Sequence, residues 1–189
     1  MLALQQFFVK ERTGMFKTSN TYDILNPTTQ EKIGVAQEKP SLLLRMIFKK
    51  AAPTTVEMRD AKEQLVFTIQ KPFKLFGRPK IKVLDATQKE LGYFVSKMFS
   101  IGGGFHVYAP DDKHIAEVKG NWKSKDFQMV TPEQKELGKV SKQWAGMAKE
   151  LFTSADSYVV GVSDHVAKDN STKMLLLAAA LTIDMVLKE

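Results

Sequence analysis

The sequence predicts a mainly β protein: a closed antiparallel barrel of about twelve strands around one buried hydrophobic α-helix near the C-terminal end of the chain. Three observations carry that expectation. Five successive stretches share a strand–turn–strand layout. Together with the flanking apolar runs they make about a dozen short strands, more than a flat sheet holds without curling or closing. The last apolar run, Met174 to Leu187, is interrupted only by Thr182 and Asp184, and fourteen helical residues rise only about 21 Å against roughly 30 Å for the hydrocarbon core of a bilayer.

Taken in order, FFVKE and GMFKT open the chain with short alternating runs. The five hairpins follow: YDILNPTTQEKIGVAQEK from Tyr22, VEMRDAKEQLVFTIQKP from Val56, IKVLDATQKELGYFVSKM from Ile81, FHVYAPDDKHIAEVKGNW from Phe105 and FQMVTPEQKELGKVSKQW from Phe127. In each, alternation with period two gives a strand one inner and one outer set of side chains. Between the two runs stand Asn26-Pro27, Asp60, Asp85, Pro110-Asp111 or Pro132, residues that favour turns through side-chain hydrogen bonds or a fixed φ. SYVVGVS after Asp156 supplies a last strand, and closure then removes exposed edges.

Two segments interrupt the pattern. SLLLRMIFKK, from Ser41 to Lys50, reads as a short helix or a bent strand. Ile101-Gly102-Gly103-Gly104 reads as a turn, because a phosphate-binding loop needs a Lys-Ser/Thr that is absent. Asp169, Asn170, Ser171 and Thr172 are N-cap candidates for the final helix, and Asn170-Ser171-Thr172 is read as that cap rather than as a glycosylation acceptor. The helix is expected over about 171–188, with Asp184 and Lys188 paired four residues apart. A barrel of this size is too wide for its own side chains to fill, and a helix apolar on nearly every face needs a dry surround.

With 189 residues the chain is expected to form one domain, 1–189. It has no cysteine, which excludes disulfides, thiolate chemistry and cysteine-held metals. MLALQQFFVKERTG lacks the basic start of a signal peptide, so a cytoplasmic protein is expected, peripheral at the inner face of a membrane if it meets one. A monomer is expected. Net charge is +7, which suits a polyanionic partner such as anionic phospholipid or nucleic acid.

Catalytic patterns are missing. His106, His114 and His165 are far apart along the chain, with no metalloprotease or nucleophile-elbow motif, so no enzyme activity, catalytic residue or metal site is expected. The functional candidate is QKPFKLFGRPKIK. Lys71, Lys74, Arg78, Lys80 and Lys82 bring five positive charges and no negative one, interleaved with Phe73, Leu75 and Phe76. Arg45, Lys49 and Lys50 extend the patch if they share its rim. Such a face suits an anionic membrane surface, and it also suits single-stranded nucleic acid, by phosphate contact plus stacking. The plainer account is that the phenylalanines pack and the lysines are merely solvated. Trp122 and Trp144 are expected to pack at the barrel ends.

Gly138-Lys139-Val140-Ser141-Lys142-Gln143-Trp144, Phe152-Thr153-Ser154-Ala155-Asp156-Ser157-Tyr158 and Ile183-Asp184 within the final apolar run resemble the C-terminal region of the phospholipid scramblase family. The front, FFVKERTGMFKTSNTYDILNP, also resembles that family and its LURP-one-related cousins. The resemblance implies a Tubby C-terminal-like fold, a twelve-stranded barrel around a hydrophobic helix. It also implies phospholipid binding at anionic membrane surfaces and phospholipid movement between leaflets. Ser154 and His165 stand at positions that are acidic in the animal calcium segment, with Asp156 retained and Asp164 displaced by one, so calcium is not expected as a cofactor. The competing expectation is a soluble interaction or nucleic-acid-binding barrel without lipid transport.

Overall fold

The structure, a computed structural model, describes residues 1–12, 19–48, 51–97, 103–121, 126–141 and 157–187. Each of the five sequence hairpins is a pair of antiparallel strands: β2 (Thr21–Leu25) with β3 (Lys32–Pro40), β4 (Thr54–Asp60) with β5 (Leu65–Lys71), β6 (Ile81–Asp85) with β7 (Glu90–Ser96), β8 (Gly104–Tyr108) with β9 (His114–Asn121), and β10 (Asp126–Val130) with β11 (Glu136–Ser141). β1 (Gln6–Glu11) and β12 (Ser157–Val162) complete the set of twelve. They pair antiparallel with each other, Phe8 opposite Val159, and this closes the barrel. GMFKT lies outside the described residues. SLLLRMIFKK resolves as helix α1 (Leu42–Phe48), with Lys49 and Lys50 outside the described residues.

One turn geometry recurs. Gln30, Glu63, Gln88, Asp112 and Gln134 all sit at φ between 60° and 66°. In each hairpin that residue's N–H reaches back to the carbonyl of the turn's first residue, as from Gln88 to Asp85 at 3.0 Å. The register then slips by one, as between Val83 and Leu84. Asp85 holds its turn open at the right width by accepting from the N–H groups of Thr87 (2.8 Å) and Lys89 (3.0 Å). A non-glycine residue in this left-handed region costs roughly 1 kcal/mol, and the opener's side-chain bonds together with strand pairing offset it.

The barrel is filled by helix α2 (Asn170–Leu187). Asp169 caps it, its Oδ1 accepting from the N–H of Ser171 (2.9 Å) and its Oδ2 from the hydroxyl of Thr172 (2.6 Å). From Leu176 to Ala180 the helix is essentially without solvent contact. Phe7, Phe67, Phe94, Phe105 and Phe127 from the strands surround it. Gly138 of β11 faces Leu176 so closely that an added Cβ would lie 2.7 Å from the leucine Cδ1 and 2.3 Å from the carbonyl of Gly161. Among the described residues no helix is long and apolar enough to cross a membrane.

Each end of α2 is tied down by a polar bond. Lys173, 2% exposed, donates through Nζ to the carbonyl of Leu2 at 2.6 Å, which holds Met1, Leu2 and Leu4 against the core. Near the other end Asp184, 1% exposed, accepts from Tyr22 Oη at 2.6 Å and from Tyr158 Oη at 2.9 Å. Burial first, then the negative neighbour Asp184, pushes the Tyr22 hydroxyl far above its ordinary ionisation range. Lys188, the partner expected for Asp184, lies outside the described residues.

Two stability outcomes follow from these contacts. Asp184→Leu strands two buried tyrosine hydroxyls and lowers the unfolding free energy by about 3 kcal/mol in urea titration, whereas Tyr158→Phe costs about half as much. Gln88→Gly and Gln134→Gly relieve the left-handed backbone and each raise stability by about 0.5 kcal/mol, since the gain of roughly 1 kcal/mol is partly offset by the freer unfolded chain.

Candidate functional site: an apolar and basic lobe on one rim

In an up-and-down barrel alternate connections emerge at the same end. The β3–β4 connection, which holds α1, and the β5–β6 connection, residues 72–80, therefore share one rim. Their chain stretches run SLLLRMIFKKAA and KPFKLFGRPKIK, with no aspartate or glutamate in either. The two connections touch. The rings of Phe48 and Phe73 meet edge-on at 5.0 Å, and the N–H of Lys74 donates to the carbonyl of Ala51 at 3.1 Å.

This lobe holds all seven large exposed apolar side chains of the described residues: Leu43, Met46, Ile47, Phe48, Phe73, Leu75 and Phe76. Met46 and Phe76 are 81% and 82% exposed. Apolar groups scattered singly over a surface are normal, whereas a gathered patch marks an interaction site. The sequence reading anticipated Phe73, Leu75 and Phe76, and from α1 only Arg45; the apolar side chains of α1 were given no role. The signal was present: LLLRMIF has a single polar residue, and the barrel interior was already filled by a longer helix.

The six predicted basic residues that are described divide into three groups. Lys71 continues the inward series Phe67, Ile69 and is 5% exposed, so period-two alternation turns it into the barrel and away from any surface partner. It belongs to an inward polar layer at this end of the barrel, with Glu11 and Glu38, which are also buried. Three others are already ion-paired: Arg45 with Glu38 at 3.3 Å, Lys80 with Asp112 at 2.8 Å, and Lys82 with Glu90 at 2.8 Å. Lys80 also lies 4.3 Å over the ring of Tyr93. Hydrogen bonding to Asp112 and then to the Tyr93 hydroxyl raises its pKa, and Lys80 in turn lowers that of Asp112. Lys74 and Arg78 are exposed. Arg78 Nη1 donates to the carbonyl of Ser96 at 2.7 Å, and Lys74 forms no ion pair with any described residue. Lys49 and Lys50 lie outside the described residues. Among the described residues the lobe thus presents fewer unpaired cations than the sequence suggests, and more exposed apolar side chains.

The histidines are not all separate. The β8–β9 hairpin brings the rings of His106 and His114 to 5.4 Å. Partial burial, then the positive charges of Lys97, His114 and Arg78, holds His106 below the usual imidazole range. No group of three metal-ligating side chains occurs among the described residues. Ser154 and Asp156 lie outside them. Asp164 accepts from Gln5 Nε2 at 3.0 Å, and His165 lies beside it in a short 3-10 turn. Trp122 and Trp144 also lie outside the described residues.

The Scramblase family profile matches residues 1–189. Phospholipid scramblase 1 of Rattus norvegicus is 24% identical over 202 residues, covering 100% of this chain and 59% of its own length. Phospholipid scramblase 2 of Bos taurus is 24% identical, with 100% and 68% covered, and phospholipid scramblase family member 5 of Homo sapiens is 23% identical, with 92% and 68% covered. The chain therefore spans about three-fifths of the length of the first of these relatives. No solved structure matches it. A profile that runs from the first residue to the last, on a closed barrel with its helix inside, places the chain in the Scramblase family.

Proposed function

We propose that the chain is a phospholipid-handling protein of the scramblase type, which associates with anionic membrane surfaces through the α1 and 72–80 lobe and promotes movement of phospholipid between leaflets. Family membership supports the substrate class. The observation that carries the docking surface is the lobe itself, where every large exposed apolar side chain of the described residues lies in segments free of acidic residues. Lys74 and Arg78 attract anionic headgroups at about 1 kcal/mol each. The process needs no covalent step, so the role is transport-like rather than bond-making. The protein acts as a monomer at the inner, anionic leaflet, without calcium.

Nucleic acid is the weaker partner. Tracking a phosphate backbone needs several unpaired cations, and Arg45, Lys80 and Lys82 already hold carboxylates.

Purified protein reconstituted into liposomes carrying a fluorescent phospholipid should speed the loss of inner-leaflet signal to a membrane-impermeant quencher at least several-fold over empty liposomes. In flotation it should rise with vesicles containing phosphatidylserine. Absence of flotation with both anionic and neutral vesicles sinks the reading.

A further inference from the structure

Resting on that lipid-surface reading, we infer that the lobe is a hydrophobic wedge. It enters the acyl region of the bilayer and so prefers membranes with loosely packed headgroups, while charge plays a minor part in holding it there. The partner is the bilayer interface, recognised by access to its hydrocarbon.

Geometry supports insertion over surface adsorption. Leu43, Met46, Ile47 and Phe76 are between 64% and 82% exposed. Side chains so bare belong to projecting tips, and a groove would cover them. The tips come from two neighbouring connections clamped by the Phe48–Phe73 contact and the Lys74–Ala51 backbone bond. Their contact sets them side by side, so that they can enter lipid together. The lobe's charge is complementary to an anionic interface, since the nearest acid before α1, Glu38, is 5% exposed and bound by Arg45. A protein groove receiving these tips would have no need of acid-free flanks.

Charge holds the wedge only weakly. Adsorption through headgroups requires mobile cations, and of the six predicted ones among the described residues three are paired with Glu38, Asp112 and Glu90 and a fourth, Lys71, is turned into the barrel. Lys74 and Arg78 steer approach without dominating the bound state. Burial of apolar surface then sets affinity. Unlike headgroup attraction, it is insensitive to salt and increases where lipid packing exposes acyl chains.

The wedge also orients the molecule. β2 and β12 both begin at this rim, and Tyr22 and Tyr158, near their starts, hold Asp184. The C-terminal end of α2 therefore lies at the membrane-facing end of the barrel, and the Leu2–Lys173 tie lies at the far end.

The chain has no cysteine, so Met46→Cys, Phe76→Cys and, as a control on the far rim, Gln134→Cys each accept one environment-sensitive dye. On vesicles the dyes at 46 and 76 should shift to the blue and be quenched by brominated acyl chains, while the dye at 134 stays in water. Met46→Gln/Ile47→Gln/Phe76→Gln should weaken binding at least tenfold with an unchanged circular dichroism spectrum. Lys74→Gln should weaken it no more than about fivefold. Raising salt from 50 to 500 mM should cost less than fivefold, and small, highly curved vesicles should bind better than large ones of the same composition. Vesicle binding with the dyes at 46 and 76 still in water, or a steep salt loss with the triple variant unaffected, overturns the wedge and leaves the lipid reading standing. A triple variant that abolishes self-association in sedimentation, with vesicle binding intact, assigns the lobe to a second copy and also overturns it. No vesicle binding at all sinks both.

Discussion

The constraint on which the structure rests is mutual: a twelve-strand ring cannot fill its own interior, and α2 has no polar face to show to water. Each removes the other's difficulty. The strands present alternate side chains inward, phenylalanine in five of them, and the helix meets these with small and branched residues, Leu176 to Ala180, that let the wall come close. At Gly138 the wall comes so near that even a methyl group has no room. Packing at this density makes the two components one cooperative unit.

The polar ties at the helix ends fix its depth. An apolar rod in an apolar sleeve has little to define its position along the axis, because sliding exchanges one greasy contact for another. Lys173 with Leu2 at one end, and Asp184 between Tyr22 and Tyr158 at the other, have single satisfying positions. A buried polar group left unmade costs the full penalty of its lost water, so a small axial shift becomes expensive. The polar residues inside the core give register, much as a lone asparagine does in a coiled coil.

Most of the architecture was legible before any coordinates. Period-two alternation in five hairpins predicted ten strands in their pairs, and the length of the final run separated a core helix from a span. What the sequence hid follows from how its signals work. The left-handed turn residues carry no glycine, so Gln30, Glu63, Gln88 and Gln134 gave no sign of their backbone conformation. Lys71 looked like part of a basic surface because net charge ignores which face of a strand a residue occupies, although the alternation from Phe67 and Ile69 would have turned it inward. Pairing of Arg45, Lys80 and Lys82 with acids elsewhere in the chain depends on the fold. The nearness of His106 and His114, eight residues apart, is a product of the hairpin between them. The apolar lobe was half visible: its aromatic loop stood out, while the exposure of Leu43, Met46 and Ile47 on α1 did not, because a seven-residue apolar run says nothing about which way it faces.

The position of α2 in chain order has a consequence for biogenesis. It follows all twelve strands, and the barrel closes between β1 and β12, nearly the whole chain apart. A ribosome delivering this protein from its N-terminus must therefore release almost every hairpin before the material that covers their inner faces exists. Until then the sheet has bare phenylalanines and an open edge, a species of high contact order that neighbours can trap by edge pairing. Synthesis of such a chain places its greatest demand on chaperones in the interval before α2 emerges, when the strands exist and their filling does not.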